Sequence, residues 1–146
     1  MQYSEILKDL GPYQIQQYQQ NRYPCFFVDF IEEVIPGKSA KGFKNFTYNE
    51  WFFSAHFADE PNVPGFVQIE TLVQVFLMTF LTIPGNKGKK TAFVSSNAKF
   101  KKKLIPGHKL DITFPNGNIK VKVLNSTDYL IETHNGVYQK NVLPTN

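Results

Sequence analysis

The sequence predicts an α+β domain in which one curved antiparallel sheet of about five or six strands wraps a single long central helix. Three observations point there. The segment from Phe66 to Ile83 carries Ile69, Leu72, Val73, Val75, Phe76, Leu77 and Phe80, which are apolar positions nearly all the way round a helix, and such a helix has to be covered on all sides. In "NIKVKVL", Ile119, Val121 and Val123 alternate with Lys120 and Lys122, the period of a strand with one face on a core and one in water. Asn135-Gly136 joins the last two apolar runs, and this dipeptide readily adopts the positive φ values of a tight hairpin turn.

The elements follow in order. "MQYSEILKDLGPY" mixes charges with apolar residues at helical spacing and has no continuous apolar stretch, which is not the pattern of a signal peptide. "YPCFFVDFIEEVI" is dense in aromatic and β-branched residues and is closed by Pro36-Gly37, so it reads as a strand and turn with "SAKGFKNFTY" as its hairpin partner. After the helix, Pro84-Gly85-Asn86 breaks the pattern and a lysine loop leads to "TAFVSSNAKFKK", a strand ended near Pro106-Gly107. "KLDITF" and "NIKVKVL" are split by "PNGN", and "DYLIETH" and "VYQKNVL" form the closing hairpin.

At 146 residues the chain suits one globular unit spanning 1–146. The helix segment is long enough to suggest a membrane span, but Gln68, Glu70, Thr71 and Gln74 occupy its first half. A buried helix explains it better, and no membrane association is expected. The lone Cys25 allows no internal disulfide and no zinc site, so a reducing, cytoplasmic setting is expected and no metal is called for. The net charge of +4 gathers at Lys87, Lys89 and Lys90 and again at Lys99, Lys101, Lys102 and Lys103. Without an accompanying binding motif these clusters do not indicate nucleic acid; each, taken alone, reads as a solvated loop.

The start of the helix concentrates the chemistry. Pro64 sits where proline suits a first helical turn, and Gly65 beside it leaves room for a close approach to the backbone. The first N–H groups of a helix lack internal partners and lie at the positive end of its dipole, so a carbonyl or oxyanion can dock there. Phe66, Glu70 and Gln74 are spaced by four and share one face. Among apolar neighbours the Glu70 carboxyl is expected to be hard to ionise, which suits a proton donor. A carboxyl satisfied by a backbone or Gln partner in the core fits Glu70 equally well. His56 on its own reads as a packing residue beside Phe57, and His108 and His134 fall in turns at the surface. The joint spacing of His56 with Pro61, Pro64, Gly65 and Glu70 is what singles it out.

That run, "NEWFFSAHFADEPNVPGFVQIETLVQ", resembles the active-site segment of the (3R)-hydroxyacyl-acyl-carrier-protein dehydratases of fatty-acid synthesis, of the FabZ type. The resemblance extends upstream through "NRYPCFFVDFIEEVIPGKSAKGFKNFTYNE" and downstream through "NAKFKKKLIPGHKLDI". It implies a hot-dog fold, a helix wrapped by a sheet, with no cofactor. It places the catalytic histidine on His56, the catalytic acid on Glu70 and the thioester-binding N–H on Gly65. Phe57, Phe66 and Gln74, flanking these groups, are expected to touch the substrate. The family builds each site from two subunits, so a homodimer is implied, with a trimer of dimers as the larger assembly common in the family. Its partner is an acidic acyl carrier protein bearing the acyl thioester, and Lys99, Lys101, Lys102 and Lys103 fall in the matching docking region. Ala55, Ala58 and Trp51 stand where the family has Gly, Pro and Pro, and Asn21 and Phe30 where it has His and Arg. A hot-dog thioesterase, and a non-catalytic hot-dog subunit that binds a partner or an acyl chain, are the alternatives.

Overall fold

The structure, a computed structural model, describes residues 5–96, 100, 103–114, 119–123, 129–133 and 139–145. In chain order the elements are β1 (Leu7–Leu10), α1 (Pro12–Gln16), β2 (Phe30–Ile35), β3 (Ser39–Asn45), α2 (Gly65–Leu81), β4 (Lys90–Ser96), β5 (Lys109–Phe114), β6 (Ile119–Val123), β7 (Tyr129–Thr133) and β8 (Gln139–Thr145). All the pairings are antiparallel, in two four-stranded sheets ordered β1-β2-β3-β5 and β4-β8-β7-β6. The α+β class and the helix packed on an antiparallel sheet agree with expectation. The described strands number more than the five or six expected, and they form two hydrogen-bonded groups. Periodicity identifies a strand without naming its partner, and β4 finds its partner far along the chain, Lys90 opposite Thr145.

The N-terminal segment, whose apolar residues fall at helical spacing, divides at Gly11-Pro12 into β1 and a short α1, a second helix beyond the single one expected. Pairing of Leu7 with Val34 and Leu10 with Ile31 at the sheet edge overrides the local spacing. The aromatic run from Tyr23 is only partly a strand. Phe27 and Val28 give their N–H groups to the Gln74 side chain, and the ladder begins at Phe30. The β2-β3 hairpin forms as expected, Ile35 opposite Ser39, and the N–H of Gly37 in its turn donates to the Thr79 carbonyl of α2 at 2.7 Å. The Asn135-Gly136 turn and His134 lie outside the described residues.

Helix α2 runs 17 residues and is almost wholly buried from Val73 to Leu81. It packs on β2, β3 and β5 through a core in which Ile31, Val34, Val75, Phe76 and Met78 are shielded completely from solvent. Full burial of such side chains stabilises the fold by about 1.5–3 kcal/mol each. Close approach of helix and strand depends on Gly42: a Cβ there would lie 2.6 Å from the Phe30 carbonyl oxygen and 3.4 Å from Val75 Cγ2. The buried hydroxyls of Thr71 and Thr79 donate back to the carbonyls of Val67 and Phe76, which satisfies them without a tertiary partner. Among the described residues no helix is long and apolar enough to cross a membrane.

Candidate active site at the start of the central helix

The segment between β3 and α2 carries His56 on a run of turns. The N–H of Phe53 donates to Glu50, that of Ala55 to Phe52 and that of His56 to Phe53. This chain of turns is held from below by a second core cluster of Phe27, Phe46, Phe52, Phe53, Val63 and Val67. Phe52 contacts Phe27, Phe46 and Phe53 edge-on at centroid distances of 6.3, 6.1 and 4.9 Å, an arrangement favoured by the ring quadrupoles. At its outer end the segment is tied by Lys44, only 6 % exposed, which pairs with Glu50 and with Asp29 at 3.4 Å. The indole N–H of Trp51 donates to the Pro24 carbonyl at 3.1 Å.

Residues 56–62 close a compact loop. The Asn62 N–H donates to the His56 carbonyl at 2.9 Å, and Phe57 and Glu60 exchange both backbone bonds. The His56 ring stacks on Phe57 at 4.4 Å, and its Nδ1 lies 3.2 Å from the Asn62 carbonyl oxygen. A carbonyl only accepts, so this contact places the proton on Nδ1 and leaves Nε2 with a lone pair.

Helix α2 starts directly after this loop, with Pro64 at the N-cap. The Pro64 carbonyl accepts from the N–H groups of Val67 and Gln68. The N–H of Gly65 belongs to the first turn, where no intrahelical acceptor exists. The ring of Phe100 covers this glycine so closely that a Cβ would lie 2.9 Å from Phe100 Cζ.

These groups line one open cavity of about 330 Å³. His56, Gly65 and Lys103, all singled out from the sequence, face it together with Asn62, Val63, Gln68 and Phe100. Gln68 sits one turn beyond Gly65, so helical spacing could have revealed it. Phe100 is distant in sequence and was not named as a site residue, although it lies in the stretch "NAKFKKKLIPGHKLDI" that carries the resemblance. Glu70, Phe57, Phe66 and Gln74 are not among the lining residues. Glu70 is half-buried and accepts a hydrogen bond from Gln74 Nε2 at 3.4 Å. Phe57 and Phe66 are exposed, at 55 % and 60 %.

Gln74 is shut off from solvent. Its Oε1 accepts from Phe27 N at 2.8 Å and Val28 N at 3.3 Å, and its Nε2 donates to the Cys25 carbonyl at 2.7 Å. Its own carbonyl accepts from Gln19 Nε2. In this chain its side chain is therefore occupied by three backbone groups and by Glu70. His108, expected at the surface, is half-buried in its turn, and its Nδ1 accepts from Ile105 N at 3.3 Å. Lys103 Nζ reaches Glu60 across the rim at 2.7 Å, and this ammonium holds the Glu60 carboxyl below its ordinary value of 4.5. Lys99, Lys101 and Lys102 lie outside the described residues.

Comparison with known proteins adds an independent line. Residues 20–144 match the FabA-like domain family. The 3-hydroxyacyl-[acyl-carrier-protein] dehydratase FabZ of Clostridium novyi (strain NT) is 45 % identical over 104 residues, which cover 70 % of this chain and 73 % of that protein. The protein of the same name from Clostridium botulinum (strain Okra / Type B1) is 46 % identical over 101 residues, 68 % of this chain and 70 % of its own length. Among solved structures, the dehydratase heterocomplex ApeI:P from Xenorhabdus doucetiae is similar at a TM-score of 0.45 and 20 % identity, over 75 % of this chain and 89 % of that one. Both the match along most of its length and the identity to curated dehydratases place the chain in the FabA-like family, as a member of its FabZ-type 3-hydroxyacyl-[acyl-carrier-protein] dehydratases.

Proposed function

We propose that this chain dehydrates (3R)-hydroxyacyl thioesters of acyl carrier protein to trans-2-enoyl thioesters in fatty-acid synthesis, with His56 as base, Glu70 as acid and the Gly65 N–H as the thioester-binding donor. The observation that carries the reading is a cavity at the start of α2 that presents both the His56 ring and Gly65, in a chain 45 % identical to a FabZ dehydratase.

With the Asn62 carbonyl holding the Nδ1 proton, Nε2 of His56 takes a proton from C2 of the substrate. The charge that develops on the thioester oxygen meets the Gly65 N–H, which is already oriented before reaction; one such preorganised donor is worth about 3 kcal/mol in acyl chemistry. Glu70 gives a proton to the departing 3-hydroxyl. The products are one C2=C3 double bond and one water, and solvent exchange returns the two side chains to their starting protonation states.

In this reading Glu70 comes from a second copy of the chain. What supports that is its position outside the cavity that holds His56 of its own chain, together with the exposed rings of Phe57, beside His56, and Phe66, beside Gly65, apolar groups that a second copy would cover. The homodimer, its assembly into a trimer of dimers and a cytoplasmic setting belong to the same proposal. So does docking of an acidic carrier on Lys103 and the neighbouring Lys99, Lys101 and Lys102. Phe57 and Phe66 then serve the acyl chain across the subunit boundary.

The test is hydration of a crotonyl thioester, followed by the fate of a 3-hydroxyacyl thioester in mass spectrometry. His56→Ala and Glu70→Gln each lower kcat by about 10²- to 10⁴-fold, while the variants elute as the wild type does. Full activity in either variant refutes its role. Release of free acid in place of water loss identifies a thioesterase and overturns the whole reading.

A further inference from the structure

We infer that Gln68 is a substrate-binding residue whose side-chain oxygen accepts a hydrogen bond from the 3-hydroxyl of the acyl chain, and so selects hydroxylated substrates. The inference rests on the dehydratase reading and adds a residue to it. Gln68 lines the same cavity as His56 and Gly65. Its Nε2 donates to the Val63 carbonyl at 3.2 Å, and Val63 is itself fixed by its N–H donating to Leu104 at 2.8 Å. The amide cannot be turned over, because two acceptor oxygens would then face each other. Its donor end is thus committed to the protein, and Oε1 makes no hydrogen bond among the described residues.

The position suits the role. Gln68 is three residues after Gly65, about 4.5 Å along the axis and on the same face of the helix. With the thioester oxygen at the Gly65 N–H, C3 lies two carbon–carbon bonds of about 1.5 Å from C1, so a chain laid along this face brings its hydroxyl within reach of the Gln68 side chain. An acceptor at that point binds the hydroxyl in its donor sense and leaves the oxygen lone pairs facing an incoming proton. In the reverse direction the same acceptor orients the attacking water. An unsubstituted acyl chain has no donor to offer and gains nothing from this contact.

The experiment uses the purified full chain with N-acetylcysteamine thioesters, which carry neither phosphate nor carrier. For wild type and Gln68→Met, kcat/KM is measured on the 3-hydroxybutyryl thioester and Ki on its butyryl analogue. The expected result is a fall in kcat/KM of about 3- to 10-fold, the range of one neutral hydrogen bond, with Ki unchanged. Equal losses in both would show a contact to the thioester arm or a general change of the cavity wall and overturn the inference; so would no loss in either. If Gln68→Met loses its helical signal, Gln68→Asn, which draws the amide back by one methylene, is read by the same two numbers. A wild type that does not interconvert 3-hydroxybutyryl and crotonyl thioesters strikes the dehydratase reading itself, whereas normal turnover with no hydroxyl preference strikes only the role of Gln68.

Discussion

Replacing Gln74 by methionine tests whether this amide serves the fold or the substrate. The change keeps nearly the same volume, so little of its effect comes from a cavity. It removes the acceptor of two backbone N–H groups, those of Phe27 and Val28, in residues only 3 % and 1 % exposed. The Cys25 carbonyl also loses its donor, but that residue is exposed and water replaces the bond. A buried donor left without a partner costs about 1–3 kcal/mol, and the 3.3 Å bond to Val28 is the weaker of the two, so the sum is about 2–4 kcal/mol. For a chain of 146 residues that lowers Tm by about 5–12 °C. Thermal and urea unfolding, followed by circular dichroism with wild type and variant at one protein concentration because assembly contributes, read the change directly. A fall of less than about 2 °C, accompanied by a raised KM, would refute the structural role and return Gln74 to the substrate wall.

Other consequences are open to measurement. Gly65→Ala forces its methyl against Phe100 and displaces the helix start; a shift of about 1 Å there lowers kcat/KM by about 10²-fold, and Phe100→Ala in the same chain recovers part of the loss. Mixing His56→Ala with Glu70→Gln chains, refolded together, restores about a quarter of wild-type activity if each site draws on two copies, since half the dimers are mixed and each of those has one intact site. No recovery shows that both groups serve from one chain. The Glu60 carboxyl, held low by Lys103, contributes stability above its unfolded value that disappears as pH falls through the lowered folded value. In carbon-detected NMR its titration midpoint therefore lies below 4.5 and returns to the ordinary range in Lys103→Met. Lys44→Met strands Glu50 and Asp29, which keep side-chain exposures of 20 % and 38 %; the expected loss is about 2 kcal/mol, below the range for fully buried pairs, read as a shift in urea midpoint.

Much of the candidate site was readable in one line of sequence because its parts are close along the chain. His56, Pro64, Gly65 and the first turns of α2 lie on consecutive elements, so their spacing carries their geometry. The helix was legible for a similar reason: its apolar positions report burial wherever the covering strands come from. Sequence also showed the β2-β3 hairpin through Pro36-Gly37 and the alternating β6.

Tertiary structure decided what depends on partners remote in sequence. Local spacing in the N-terminal segment resembled a helix, yet an open sheet edge at β2 made Leu7–Leu10 a strand. Nothing in "PCFFVDF" reveals that two of its N–H groups would leave the ladder for an amide 46 and 47 residues away. Phe100 over Gly65 and Lys103 against Glu60 likewise bring distant segments to one cavity. A residue's type and spacing determine which bonds it is able to make, while the identity of the group that satisfies it is settled only when the folded chain brings a complementary donor or acceptor within reach.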